Sequence, residues 1–198
     1  MHKITTLSNG IRVVSEEIPY VRSVSIGLWI GNGSRCELPE ENGMSHFIEH
    51  MLFKGTDRRS AGDIAYEIDA IGGQLNAFTT REYTCYYTKT LDEHAEIAID
   101  ILSDMMFSSK LDPDAMKLEK NVVIEEINMY EDEPDELVSD LIMEAVYGNT
   151  PLGRTILGTP ESLSKITPQN MRKYLKNHYT TKNTVIAISG HFDDSLFE

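Results

Sequence analysis

Short runs of alternating apolar and polar residues recur along the chain and predict β-strands. In residues 23–30 the apolar side chains fall on one side of the run. Residues 83–90 are dense in threonine and tyrosine, which favour strands. The turn sequence Ser8-Asn9-Gly10 lies between the first two runs and is typical of a β-hairpin. The predicted strands cover residues 3–7, 11–15, 23–30, 74–80, 83–90 and 183–189.

Apolar residues at helical spacing dominate the second half of the chain. A capping box at Ser60 and Asp63 also predicts a short helix that ends before Gly72-Gly73. The other predicted helices cover residues 44–53, 91–107, 114–131, 135–147 and 168–179. Strands, then helices, then a returning strand indicate an α+β fold, with helices packed on a mainly antiparallel β-sheet. No repeat or linker divides the sequence, so we expect one domain over residues 1–198.

Composition narrows the class of protein further. A chain of 198 residues is long enough for one sizeable core. No apolar run approaches membrane-spanning length, and the first residues lack the apolar stretch of a signal peptide. We therefore expect a cytoplasmic protein that does not bind a membrane. Cys36 and Cys85 form no metal-binding or disulfide pattern, so both are predicted to be free thiols.

The net charge of −14 argues against a partner that is a nucleic acid, because such partners require a basic face. An acidic protein is compatible with attraction of basic peptides. The same charge is also compatible with a role in solubility alone, and the sequence does not decide between the two.

The predicted helix around residue 48 has two different faces. Its apolar stripe follows the i, i+3, i+4, i+7 pattern of a buried helix face, and we expect Asn42 to cap the helix. The stripe consists of Met44, Phe47, Ile48, Met51 and Leu52. His46, Glu49 and His50 lie on the other side. Two histidines one turn apart can reach one metal ion, and the order His-x-x-Glu-His is the inverse of the commoner zinc-peptidase motif.

A catalytic zinc ion usually has three protein ligands, so a third must come from elsewhere. The candidates lie on the helix after Asp112-Pro113, which carries Glu119, Glu125 and Glu126. Glu119 and Glu126 share a face, and Glu125 points about 100° away. The surrounding apolar residues predict partial burial of a carboxylate here. Spacing alone leaves open whether these glutamates bind metal or belong to a solvated acidic face.

Several ordered motifs resemble the pitrilysin, or insulinase, family of zinc metallopeptidases. The matching stretches are residues 43–56, 72–79, 119–127, 151–154 and 157–159. The chain is similar to the N-terminal half of these inverzincins, and most of all to bacterial proteins of the mitochondrial-processing-peptidase type. The resemblance implies a metallopeptidase half-domain over residues 1–198 and zinc-dependent hydrolysis of extended peptides.

The resemblance also assigns roles to individual residues. It implies that His46, His50 and Glu126 bind Zn2+, which decides between Glu125 and Glu126. Glu49 matches the general base, and Glu119 matches a carboxylate that supports the site. Asn76-Ala77-Phe78 matches an edge strand that docks the substrate peptide. Without the resemblance, these three residues would be interpreted as an ordinary hairpin strand.

Complete members of the family contain a second, homologous half. In the family, that half supplies an arginine and a tyrosine that hold the substrate. We expect this C-terminal half to be absent from the chain, which would then need another chain for that contribution. The isolated half is expected to bind metal, to cleave peptides weakly or not at all, and to form a homodimer through uncovered apolar surface.

Two alternatives remain at this point. S-ribosylhomocysteine lyase shares a His-x-x-Glu-His segment but uses a later cysteine as a metal ligand, and this chain has no cysteine after Cys85. The other alternative is a non-catalytic assembly or substrate-capture subunit of the same family. Such subunits typically lose ligands or the base, whereas this chain retains all of them.

Overall fold

The computed structural model describes residues 2–193, and within that range six strands form one mixed sheet. The strands are β1 (Lys3–Thr6), β2 (Arg12–Glu17), β3 (Ser23–Ile30), β4 (Gln74–Thr79), β5 (Thr84–Leu91) and β6 (Thr184–Gly190). Their spatial order is β1-β2-β6-β3-β5-β4. Only the β2–β6 pair is parallel among these strands. The prediction of a mainly antiparallel sheet is confirmed.

Seven α-helices connect and cover the strands within residues 2–193. They are α1 (Met44–Leu52), α2 (Ala61–Ala70), α3 (Ala95–Ser108), α4 (Pro113–Asp132), α5 (Pro134–Tyr147), α6 (Pro160–Lys165) and α7 (Pro168–His178). The α+β fold is therefore confirmed. The hairpin of β1 and β2 and the capping box of α2 are confirmed as well.

Two helices differ from the prediction. Helix α3 begins at Ala95 rather than near residue 91, because Leu91 still pairs with Ser23 in the sheet and residues 92–94 form a 3-10 turn. Helix α6 was not predicted at all. It has only six residues, too few for a periodic apolar pattern, although Thr159 and Ser162 form a capping box at its start.

The core lies between the helices and one face of the sheet. The predicted stripe of α1 is confirmed, since all five of its apolar side chains are at most 1 % exposed. They join a cluster that includes Val24, Ile26 and Ile30 of β3. Each large apolar side chain buried in this way contributes roughly 1.5–3 kcal/mol. The core thus fixes the side of α1 that must face away from it.

The start of α1 differs from the prediction. Asn42 is not the cap; the helix begins after Gly43, which has a φ of 90° and offers no side chain. The side chain of Asn42 instead donates a hydrogen bond to the carbonyl oxygen of Thr155, at 2.9 Å. Asn42 was a reasonable cap by residue type, but a distant loop uses its amide.

Two surfaces of the fold are left uncovered. Strand β4 lies at the edge of the sheet and pairs only with β5 among the described strands. Helix α5 contains no buried residue, and the exposed apolar residues Val138, Leu141, Ile142 and Val146 lie along it. No helix within residues 2–193 has the length and apolar character needed to cross a membrane.

Candidate metal centre

Helices α1 and α4 bring two histidines and one glutamate together. His46 and His50 come from α1 and Glu126 from α4. One potential ligand atom from each residue lies within 4.8 Å of the other two. His46 Nε2 lies 3.6 Å from Glu126 Oε1, and His50 Nε2 lies 3.3 Å from Glu126 Oε2. The three predicted ligands therefore converge on one point.

Glu119 fixes the orientation of the second histidine. Its Oε1 lies 2.8 Å from His50 Nδ1, and its Oε2 lies 2.7 Å from Lys54 Nζ. An ionised carboxylate can only accept, so Nδ1 carries a hydrogen, and Nε2 is the ring nitrogen that faces Glu126. Glu119 is only 5 % exposed. Lys54 compensates part of the cost of burying this charge.

The charges of the cluster favour a cation at its centre. Burial lowers the pKa of His46 to about 4, so this ring is neutral near pH 7 and its lone pair is free. Burial also lowers the pKa of His50, but the carboxylates of Glu126 and Glu119 raise it overall. Burial raises the pKa of Glu126, whereas its hydrogen bond with His50 and its electrostatic interactions with the two histidines lower it overall. Positive charge between these groups is thus stabilised by the protein.

Glu49 lies in a cleft that His46 and Glu126 also line, but it is not one of the three clustered residues. Its Oε2 accepts a hydrogen bond from Thr79 Oγ1 at 2.6 Å. Burial raises the pKa of Glu49, and the Thr79 hydroxyl opposes that shift. A carboxylate with a raised pKa, held in place and facing a cleft, has the properties of a general base.

The neighbours of Glu126 show how α4 separates its two faces. Glu125 is exposed and lies outside the cluster, so the structure brings Glu126 and not Glu125 to the histidines. The expectation that a carboxylate on this helix is partly buried is confirmed, since Glu126 is half-buried and Glu119 is buried. Val122 does not contribute to that burial, because its side chain lies on the outer face of the helix and is 51 % exposed.

The predicted substrate residues lie on β4, at the sheet edge beside the cluster. Ala77, Phe78 and Thr79 contribute to a cleft of about 300 Å³ that also contains His46, Glu49 and Glu126. The side chain of Ala77 is half-buried, whereas those of Asn76 and Phe78 are exposed on the other face of the strand. Phe78 packs there against Trp29, with ring centroids 5.8 Å apart. The structure thus brings the strand, rather than all three side chains, to the cleft.

Sequence reasoning missed several residues around the cleft. Thr79 could have been found, because it follows Ala77 by two positions and therefore faces the same side of β4. Residues 155–157 could not, because their positions depend on contacts between distant segments. The same holds for Lys54, which lies beside Glu119 and not in the cleft. The far wall of the cleft also carries Glu136 and Asp140 of α5 and Arg81, whose guanidinium pairs with Asp140 at 2.6 Å.

The donor set fits a divalent transition metal ion. Two imidazoles and one carboxylate are a known set of ligands for a catalytic zinc ion. Ligand atoms about 2.0–2.1 Å from a tetrahedral ion lie roughly 3.3–3.4 Å from each other. The separations of 3.3 Å and 3.6 Å found here are close to that value. His50 has the outer hydrogen-bond partner usual for a metal-bound histidine, whereas the buried Nδ1 of His46 has none among the described residues.

The fold and the cluster together define a mixed α/β domain with two histidines and one carboxylate that could hold a metal ion. The family model for the insulinase family, peptidase family M16, matches residues 12–160. The chain therefore belongs to the insulinase (M16) peptidase family.

Relatives with curated descriptions extend this match over the whole chain. The chain is 54 % identical to the uncharacterized zinc protease YmxG of Bacillus subtilis over 198 residues, which is 100 % of this chain and 48 % of that protein. It is 41 % identical to the mitochondrial-processing peptidase subunit beta of Neurospora crassa over 94 % of this chain and 39 % of that protein. The chain spans about half the length of the first curated relatives that it matches.

Solved structures share the fold. A protease from Helicobacter pylori superposes with a TM-score of 0.92 at 26 % identity, over 100 % of this chain and 48 % of that one. An M16 domain from Pseudomonas fluorescens, described as inactive, superposes with a TM-score of 0.89 at 20 % identity, over 98 % of this chain and 48 % of that one. The second likeness supports the fold alone.

Proposed function

We propose that this chain is the zinc-binding catalytic half of a peptidase that hydrolyses peptide bonds of extended peptides. The observation that carries the proposal is the convergence of His46, His50 and Glu126 beside Glu49 in one cleft. The names of the curated relatives, which include zinc proteases, support zinc as the ion.

In this proposal, His46 and His50 bind the ion through their Nε2 atoms and Glu126 binds it through its carboxylate. Glu119 keeps His50 in the required tautomer, because its Oε1 lies 2.8 Å from the opposite ring nitrogen. A bound zinc ion would lower the pKa of a water molecule and polarise the carbonyl group under attack.

Glu49 acts as the general base in the proposed reaction. Its carboxylate takes a proton from the attacking water and later gives it to the leaving amine. The Thr79 hydroxyl donates a hydrogen bond to Glu49 Oε2 and so fixes the orientation of the carboxylate. In the proposal, the other oxygen, Oε1, takes the proton. General base catalysis of this kind contributes about 10²–10⁴-fold to the rate.

Substrate is proposed to bind as an additional strand on the outer edge of β4. An edge strand offers backbone donors and acceptors that hold an extended peptide with little side-chain selectivity. The backbone N–H of Ala77 donates to the Asn76 side chain at 2.8 Å. An incoming peptide would have to compete for that donor, so Asn76 would move on binding.

The chain is further proposed to act together with a second half or a second chain. The exposed apolar side of α5 offers a surface for that partner, because an uncovered apolar helix face marks an interaction site. By itself the chain is expected to bind metal and to cleave peptides weakly or not at all. A non-catalytic subunit of the same family is the second candidate, and the presence of His46, His50, Glu126 and Glu49 speaks against it. Neither Cys36 nor Cys85 belongs to the cluster, which disfavours a lyase with a cysteine ligand.

A metal-binding assay paired with peptide cleavage tests the proposal. Both measurements are made on this chain and on a chain extended by a second half, as in its relatives. Glu49→Gln should keep zinc binding and reduce cleavage by about 10²–10⁴-fold. Glu126→Gln should weaken zinc binding, and Glu125→Gln is the matched control on the exposed face of the same helix. Near-normal cleavage by Glu49→Gln would refute the role of the base, and zinc binding without cleavage in the extended wild-type chain would favour the non-catalytic subunit.

A further inference from the structure

Helix α1, which carries the proposed ligands His46 and His50, begins in an unusual way. Its first residues follow Gly43, which has no side chain to cap the free backbone N–H groups of the first turn. The carboxylate of Glu37 takes that role from outside the helix. Its Oε1 accepts from the Ser45 N–H at 2.7 Å, and its Oε2 accepts from the Gly43 N–H at 2.8 Å. A negative charge at this end also interacts favourably with the helix dipole.

The carboxylate of Glu37 is buried among neutral hydrogen-bond donors. Glu37 is 2 % exposed, and within residues 2–193 the groups that interact with its carboxylate include no lysine or arginine. Its third hydrogen bond comes from the Asn42 amide at 3.3 Å. Burying a carboxylate is costly unless donors compensate it, and here the donors belong to the start of α1. The position is thus suited to holding that start in place.

The same segment ties α1 to the wall of the cleft. The backbone carbonyl of Glu37 accepts a hydrogen bond from Arg154, and Asn42 donates to Thr155. A Cβ atom on Gly43 would lie 2.6 Å from the carbonyl oxygen of Leu157, so the two backbones touch. Thr155 and Leu157 line the cleft together with His46.

Polar groups behind the helix complete this arrangement. Ser45 Oγ lies 3.2 Å from the Tyr174 hydroxyl and accepts from the Asn32 amide at 3.3 Å. All three side chains are buried. Ser45 directly precedes His46, so a shift of the first turn would move the first proposed ligand relative to Glu126 on α4.

We infer that Glu37 is a positioning residue of the metal centre: its carboxylate fixes the first turn of α1 and thereby the geometry in which His46 and His50 meet Glu126. This inference rests on the proposed function, because it concerns the same metal site. Glu37 does not touch the ion or the substrate. Its effect should therefore appear in metal affinity and coordination geometry, and not only in stability.

Titration of the 198-residue chain with Co2+ tests the inference, because the visible absorption of Co2+ reports its coordination geometry. Glu37→Gln should lower Co2+ affinity by about tenfold or more and change the visible spectrum. Glu37→Asp keeps the charge and should restore part of both. Ser60→Ala removes the cap of α2, which carries none of the proposed ligands, and should lower the melting temperature without changing affinity or spectrum.

The outcomes separate the two hypotheses. If wild-type protein does not bind Co2+ or Zn2+, the proposed function fails and this inference fails with it. If wild-type protein binds Co2+, and Glu37→Gln binds it with an affinity within about twofold of wild type and an identical spectrum, only the positioning role is overturned. If Glu37→Gln does not fold, Glu37→Asp decides: unchanged affinity and spectrum overturn the inference, and an intermediate change supports it.

Discussion

Two clusters of charged side chains lie near α1, and their charges are compensated in different ways. Asp104 of α3 accepts hydrogen bonds from Thr56 at 2.6 Å, from Arg58 at 3.0 Å and from Arg59 at 2.9 Å. Its charge is thus fully compensated by the protein. The second cluster consists of His46, His50 and Glu126, and we call it the proposed metal cluster. In it, His46 Nε2 and Glu126 Oε1 are 3.6 Å apart, too far for a normal hydrogen bond.

The difference teaches how a structural cluster can be distinguished from a ligand site. A buried charge with enough donors needs nothing from outside, so the network of Asp104 holds the segment after α1 onto α3. A group of acceptor atoms that face each other needs a cation between them. The first cluster should therefore control stability without affecting metal binding. The second should control metal binding and contribute to stability only when the ion is present.

Asp104→Ala tests the structural cluster and has the largest expected effect on stability. The change leaves Arg59, whose side chain is 12 % exposed, without one of its carboxylate partners. Removing one partner of a buried pair typically costs about 3–5 kcal/mol, and we expect about 3 kcal/mol because Asp100 and Glu67 still pair with Arg59. For a chain of this size, this corresponds to a melting temperature lower by about 10 °C. Denaturant and thermal unfolding measure the loss.

Asp100→Ala is the matched control for this prediction. Its side chain is 46 % exposed and pairs with the same two arginines. Exposed pairs contribute about 1 kcal/mol or less, so this variant should remain close to wild type. Equal effects of the two substitutions, or a changed zinc affinity in Asp104→Ala, would contradict the separation of the two clusters.

Zinc itself tests the second cluster. At a free concentration about 100 times the dissociation constant, the ion should stabilise the folded chain by about 2.7 kcal/mol. Glu126→Gln should lose most of this increment, whereas Asp104→Asn should retain it although its starting stability is lower. Thermal unfolding with and without Zn2+ provides the measurement, and Glu125→Gln is the control. An increment that persists in Glu126→Gln would mean that the ion binds elsewhere.

The sequence predicts the proposed metal cluster better than the cluster around Asp104, for a physical reason. His46 and His50 are one helical turn apart, so local geometry alone places them together. The distance between Glu126 and these histidines depends on how α1 packs against α4, which spacing does not determine. Only the resemblance to a family selected Glu126 over Glu125. The network of Asp104 joins residues more than forty positions apart, so no local sequence pattern predicts it.

The fold follows the same division. The apolar stripe of α1 and the hairpin of β1 and β2 are local patterns, and both were predicted correctly. The cap of α1 was not, because Glu37 lies six positions before Gly43 and reaches the helix through a turn. Likewise, the side-chain amide of Asn42 donates to the carbonyl oxygen of Thr155, which is 113 positions away in the sequence. Contacts of this kind become visible only once the chain is folded.

Acid unfolding sharpens the contrast through Asp104. Burial opposes ionisation of this carboxyl, but the hydrogen bonds from Thr56, Arg58 and Arg59 outweigh it and lower the pKa from 3.8 to about 2. The unfolded state then binds more protons between these values, so stability falls as the pH drops from about 4 to 2. The loss attributable to Asp104 is about 2 kcal/mol. Asp104→Asn should lack this part of the pH dependence when unfolding is measured without metal, and an unchanged slope would refute it.

Glu119→Gln probes the group that connects the two kinds of cluster, and its expected effect is the smallest. Glu119 is compensated by Lys54, as Asp104 is by its arginines, but it also holds a proposed ligand, His50. The amide can still accept from His50 Nδ1, but it lacks the charge that makes the opposite nitrogen a stronger ligand. We expect zinc affinity to fall about tenfold, which is about 1.4 kcal/mol. Competition with a chromophoric chelator measures it.

Glu161→Gln is the control: it breaks an exposed pair with Lys165 on α6 and should change neither zinc affinity nor stability. If Glu119→Gln instead lowers stability as much as Asp104→Ala and leaves zinc affinity intact, Glu119 belongs to the structural kind.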